Sequence, residues 1–177
     1  MARKILAIMT IILGASASVL YLYYVPSHLT LSVSDPPSVP YSTNVTGIYV
    51  SVSEVDIQVA SSDNSSGWHT IASTFTLNLM SVLSASKLLG TITLSPGKYS
   101  ELRLYTSQAV ITIDGVNATY SIPSGSQTGI KVVFPNGGFH IYGGESMTVH
   151  LSLSFNNNEI MKNPTMKLSP VATATVS

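Results

Sequence analysis

From Met147 to Phe155 apolar and polar residues alternate without a break: Met147, Val149, Leu151, Leu153 and Phe155 against Thr148, His150, Ser152 and Ser154. Only a strand, whose successive side chains point to opposite faces, can bury one of these sets and wet the other. The same period opens the domain, where Leu29, Leu31 and Val33 alternate with Thr30, Ser32 and Ser34. Ile48, Val50 and Val52 are followed by Val55, Ile57 and Val59, so the phase flips at Ser53-Glu54. One extra residue moves every later side chain to the other face, which predicts a β-bulge there.

Turn chemistry separates these runs: Asp63-Asn64-Ser65-Ser66-Gly67, Pro96-Gly97, Asp114-Gly115, Pro123-Ser124-Gly125, Pro135-Asn136-Gly137-Gly138 and Gly143-Gly144. Asp-Gly between two β-prone runs is the strongest hairpin signal among them. Pro36-Pro37-Ser38-Val39-Pro40 reads as a rigid loop inside the domain, because patterned strands flank it. Leu79, Val82, Leu83 and Leu88 recur at near-helical spacing and predict one short helix from 79 to 89. The expected fold is all-β: an antiparallel β-sandwich of Ig-like or transthyretin-like type with one short helix. There is no cysteine. The core must therefore hold without disulfides, and thiol catalysis and thiolate metal sites are excluded.

Ahead of the patterned region, residues 5–25 carry no charge and stand directly behind Arg3 and Lys4. As an N-terminal hydrophobic helix this segment rises roughly 30 Å, the thickness of a bilayer's hydrocarbon core. The chain divides into residues 1–26, a signal-anchor/transmembrane or signal-peptide segment, and residues 27–177, an exported β-sandwich domain. As an anchor, the segment places Tyr21, Tyr23 and Tyr24 at the outer interface, and Pro26 ends the helix. As a cleaved signal, Ile5 to Leu13 is the apolar stretch and Ala15-Ser16-Ala17 the small-x-small site. Cleavage after Ala17 would free Ser18 followed by Val19, Leu20, Tyr21, Leu22, Tyr23, Tyr24 and Val25, a β-prone donor strand.

Charged residues make up only 9% of the chain, eight Lys/Arg against eight Asp/Glu. With two of the bases ahead of the apolar run, the remainder is slightly acidic and offers no basic patch for nucleic acid. A surface built on hydroxyls changes little in charge as pH falls, which suits an acidic or hot exterior such as the outside of an archaeal cell. An ordinary extracellular Ser/Thr-rich β-protein explains the composition equally well.

A series of motifs carries a family resemblance. It runs Leu31-Ser32-Val33-Ser34-Asp35-Pro36-Pro37, Val45-Thr46-Gly47-Ile48-Tyr49-Val50, Gly67-Trp68 and Leu77-Asn78-Leu79-Met80. It continues through Leu94-Ser95-Pro96-Gly97-Lys98-Tyr99-Ser100-Glu101-Leu102-Arg103-Leu104, Ile122-Pro123-Ser124-Gly125 and Leu168-Ser169-Pro170-Val171. In this order it resembles the domain of unknown function 4382 family of exported and surface proteins, over residues 28 to 172. The resemblance implies a place and an architecture, and no reaction. Where that family often carries acids around a late-strand Phe, this chain has Ser154-Phe155-Asn156, so a cation site built on them is not expected here.

Candidate chemistry is sparse. Ser84-Ala85-Ser86-Lys87 and Ser62-Asp63-Asn64 match two penicillin-recognising signatures, but in reversed order and without Lys-Thr-Gly. No catalytic residue, metal ligand set or cofactor is assigned, and the chain is expected not to be an enzyme. His28, His69, His140 and His150 do not pair at ligand spacing. Glu54 and Asp56 share a strand face, and Arg103 falls on a wet face beside Glu101 or Glu54. Trp68 reads as a core or corner residue, with a sugar-stacking platform as the alternative. Tyr99 and Tyr105 read as packing residues.

Three sequons, beginning at Asn44, Asn64 and Asn117, fall at or near turns and are glycosylation candidates. The expected function is a non-catalytic cell-surface structural or adhesive module held at the cell membrane by its N-terminal helix, with the main domain extracytoplasmic. Two alternatives stand beside it: a secreted filament subunit that meets identical subunits by donor-strand addition, and a carbohydrate-binding module for surface glycans.

Overall fold

The computed structural model describes residues 25–33, 41–60, 67–82, 87–123, 125–162 and 165–177. The cleavage candidates Ala15 and Ala17, the donor segment as far as Tyr24, the 36–40 loop, Asn64 and Ser84–Ser86 lie outside these residues.

Among the described residues ten strands form two sheets around one core. The first sheet has the order β10-β9-β1-β4, built from β1 (Ser27–Val33), β4 (Lys87–Leu94), β9 (Ser146–Ser154) and β10 (Val171–Val176). The second joins β2 (Val45–Val59), β3 (Trp68–Asn78), β5 (Gly97–Ile113) and β6 (Val116–Ser121) in the order β3-β2-β5-β6. The short strands β7 (Ile130–Val133) and β8 (Phe139–Ile141) also pair with β5. β5 runs for 17 residues because β2 lines one of its edges while β6, β7 and β8 share the other.

The alternating apolar sets go where the period sends them. Leu29, Leu31 and Val33 of β1 and Val149, Leu151 and Leu153 of β9 are buried, as is Phe155 just beyond. They meet Ile48, Val50, Leu102, Leu104 and Ile111 of the other sheet in a single cluster. The phase flip in β2 is a bulge: the pairing with β5 skips Ser53, so that Val52 and Val55 are both buried. Asp114 (φ 48) and Gly115 (φ 80) make the hairpin between β5 and β6, with the two positive φ values that a type I′ turn requires.

Two expectations change. Among the described strands every ladder is antiparallel except that of β1 and β9, which run parallel from His28↔Ser146 to Val33↔Leu151. A parallel pair needs a long connection, and more than a hundred residues separate these strands, so periodicity alone could not name them as neighbours. Among the described residues the predicted helix over 79–89 is α1 (Leu79–Val82), and from Lys87 the chain is strand β4; residues 83–86 lie outside them. The β1 edge takes residues 87–94 as its partner, and Leu88, counted towards a helical stripe, is 63% exposed. Tertiary pairing overrides a weak helical spacing. A second short helix, α2 (Asn157–Lys162), follows β9 and buries Ile160.

The strand directions give the molecule two distinct ends. Ser27, the β4–β5 join, the β8–β9 join and Ser177 gather at the end where the chain enters. Residues 41–44 ahead of β2, the Asp114-Gly115 hairpin and α2 lie at the other, where Ser42 N donates to Asn157 Oδ1 (3.0 Å) and Tyr120 OH to the Ile160 carbonyl (2.9 Å). Along β5 the two ends stand roughly 50 Å apart at about 3.3 Å per residue.

Gly125 explains the Pro-Ser-Gly motif. Its carbonyl accepts from Thr106 N (2.9 Å), and a Cβ built on it would lie 1.9 Å from the Thr106 carbonyl oxygen. Gly125→Ala is expected to lose about 2–3 kcal/mol by overpacking against β5 backbone. Gly90→Ala, where a Cβ meets nothing within 4 Å, is expected to change stability by about 0.5 kcal/mol or less. Urea unfolding midpoints of the two variants check the contrast.

Candidate functional site

The outer face of the second sheet concentrates the domain's charge. Glu101, Arg103 and Tyr105 alternate with the buried Leu102 and Leu104, so β5 turns its polar set away from the core. Register then brings neighbours alongside: Asp56 and Lys131 flank Arg103, Gln58 lies between Trp68 and Glu101, and Glu54 faces Tyr105.

Glu101 is 7% exposed, and its carboxylate is held from two sides. Arg103 Nε donates to Oε1 at 3.1 Å and Lys131 Nζ to Oε2 at 2.6 Å. Arg103 also lies over Trp68, its Cζ 4.3 Å from the ring centroid, a cation–π geometry. The expected Arg103–Glu101 pair is therefore present. Trp68 is neither core nor corner: it is half-buried on the outer face, and the guanidinium occupies one face of its indole. A sugar-stacking role is left with at most the other face. Tyr99 is a packing residue, 1% exposed, with its hydroxyl donating to the Ser95 carbonyl at 2.7 Å. Tyr105 is only half-buried on the polar face.

Glu54 and Asp56 do share this face. Glu54 Oε1 accepts from Thr70 Oγ1 at 2.7 Å. Burial, opposed by a hydrogen bond from Thr70 and reinforced by the Glu54 charge, raises the Asp56 carboxyl above its ordinary value, and its Oδ1 is buried without a partner. Among the described residues no group of three or more His, Asp or Glu is arranged to hold a metal ion. His150 is half-buried, with Nε2 3.0 Å from Ser177 Oγ, and His69 and His140 are exposed and apart.

Lys131 also borders a groove of about 480 Å³ between the 122–130 segment and residues 168–170, floored by Ile122, Ile130 and Leu168. At the far end of the molecule Asn44 and Asn117 are both exposed beside the Asp114-Gly115 hairpin. Sequence reading missed the Lys131–Glu101 and Arg103–Trp68 contacts, because both depend on which strands flank β5. Among the described residues no helix is long and apolar enough to cross a membrane; the apolar segment lies outside them save for Val25.

Residues 27–170 match the family described as domain of unknown function (DUF4382), and the chain belongs to it. No curated protein and no solved structure matches the chain.

The Asp56 shift has a definite sign. A carboxyl whose folded-state pKa is raised costs stability when ionised, and the cost disappears as pH falls through the folded value towards the ordinary 3.8. Asp56→Asn is expected to be more stable than the parent at pH 7. The gain should vanish below about pH 3.8, as read from melting temperatures across the pH range.

Proposed function

We propose that this member of the domain of unknown function 4382 family is a non-catalytic structural or adhesive surface module, a β-sandwich of Ig-like or transthyretin-like type carried outside the membrane by the segment 5–25. The observation that supports this reading is how the chain enters the fold. Ser27, two residues past the apolar segment, is fully buried and its hydroxyl donates to the Tyr142 carbonyl at 2.8 Å. The Pro26 carbonyl accepts from Gly144 N at 3.3 Å, and His28 N donates to the Glu145 carbonyl at 2.8 Å. No flexible linker separates the segment from β1, so a domain held by it stands against the bilayer at one end and presents the other outward.

The polar face fits a scaffold better than a reaction centre. Its buried carboxylate is neutralised by two neighbouring cations, and the guanidinium is already engaged by Glu101 and Trp68. A structural ion network of this kind holds strands in register and satisfies the charges it gathers.

One observation favours the filament as a second reading. β4 and β10 close the two edges of the first sheet, each pairing on one side only in the sheet order, and Leu88 and Val171 on them are 63% and 60% exposed. Such edges accept an added strand, which the segment Ser18–Val25 of another subunit would supply.

Protease treatment of intact cells separates the readings. It is expected to release peptides from residues 27–177 while the native N-terminus, starting at Met1 or Ala2, stays with the membrane fraction. A mature start at Ser18 would replace the anchor by the filament reading. A domain protected inside intact cells would overturn both.

A further inference from the structure

The sequon Asn117-Ala118-Thr119 falls on β6, and the strand period sorts its three residues. Asn117 and Thr119 are exposed while Ala118 between them turns towards the core. The acceptor amide and the hydroxyl that a sequon requires thus stand on one outward face. Asn117 Oδ1 accepts from Thr112 Oγ1 at 2.8 Å, which fixes the side chain and leaves its amide nitrogen without a hydrogen-bond partner among the described residues. β6 closes its end of the sheet order, pairing with β5 from Gln108↔Ser121 to Ile113↔Val116. An enzyme that must draw an extended acceptor segment into its site meets here a strand paired along one edge at the sequon.

Asn44-Val45-Thr46 repeats the pattern, with Asn44 and Thr46 exposed and Val45 4% exposed. Its nitrogen is engaged, however: Asn44 Nδ2 donates to Asp114 Oδ2 at 3.1 Å, and the Asn44 carbonyl accepts from Asp114 N at 2.9 Å. The two sequons flank the same hairpin at the end opposite Ser27.

We infer that Asn117 is an N-glycan acceptor at the far end of the domain, and that Asn44, tied to Asp114, is the less occupied of the pair. This rests on the surface-module reading, since the glycan donor is taken to be a polyprenyl-phosphate-linked sugar on the outer side of the membrane. The Asn117 nitrogen forms a bond to the anomeric carbon of that sugar. The anomeric C–O bond to phosphate breaks, the phosphorylated lipid leaves with its electron pair, and the amide proton passes to a base of the transferring enzyme. A glycan there crowns the outward end, roughly 50 Å along β5 from the entry end at about 3.3 Å per residue.

The test uses the full chain from the cells that make it, divided between protease treatment of intact cells and mass spectrometry of its peptides. The Asn117 peptide is expected to carry a glycan mass that Asn117→Gln removes. Thr119→Ala should remove it equally while leaving the asparagine in place and the melting transition cooperative. Lower occupancy at Asn44 than at Asn117 is expected. A chain released from the cell surface with a bare Asn117 overturns the inference and leaves the display reading intact. A chain found only inside the cell overturns both, and greater occupancy at Asn44 overturns the role given to Asp114.

Discussion

β1 is the strand on which the rest of the structure depends. It is held on one side by β4, from Ser27↔Leu94 to Val33↔Lys87, and on the other by the parallel β9. Its inward residues Leu29, Leu31 and Val33 are at most 1% exposed. The first strand after the apolar segment is therefore central in its sheet, where removing it would expose two ladders and one face of the core together. A load applied at Ser27 acts on backbone hydrogen bonds along both edges at once. A domain tied to a bilayer through that residue would be attached through a central strand of its sheet and not through an edge.

The second constraint is polar. With charge at 9%, the domain places much of what it has on the outer face of one sheet and pairs it there. Glu101 draws in Arg103 and Lys131 from either side, and Arg103 in turn covers Trp68. Such pairing satisfies a carboxylate that is almost fully buried, which would otherwise cost several kcal/mol. Asp56 is the exception on this face, with an unpartnered oxygen and a raised pKa.

Much of the fold was legible because strand period and turn chemistry are local. The alternation in β1 and β9, the bulge at Ser53-Glu54 and the Asp114-Gly115 hairpin each follow from a few adjacent residues. What could not be read depends on pairing across long separations. Leu88, Leu89, Ile92 and Leu94 follow no clean period, and only the β1 edge makes them a strand. Trp68 became an outer-face residue because β3 and β2 set it beside Gln58, two strands from Glu101. The wet face of Arg103 was legible from its neighbours Leu102 and Leu104; its indole partner was not. The sequons were legible as motifs, but only the Asp114 and Thr112 contacts distinguish Asn44 from Asn117.

The central claim, that the strand next to the apolar segment is a firmly held central strand of its sheet and not an edge, is tested by hydrogen exchange of the folded protein. Amides of Leu29 to Val33 are predicted to exchange as slowly as those of Leu102 to Leu104 in β5, opening only when the whole domain unfolds. Edge strands β4 and β10 should exchange earlier. Exchange of the β1 amides together with, or before, those of β4 and β10 would contradict the account.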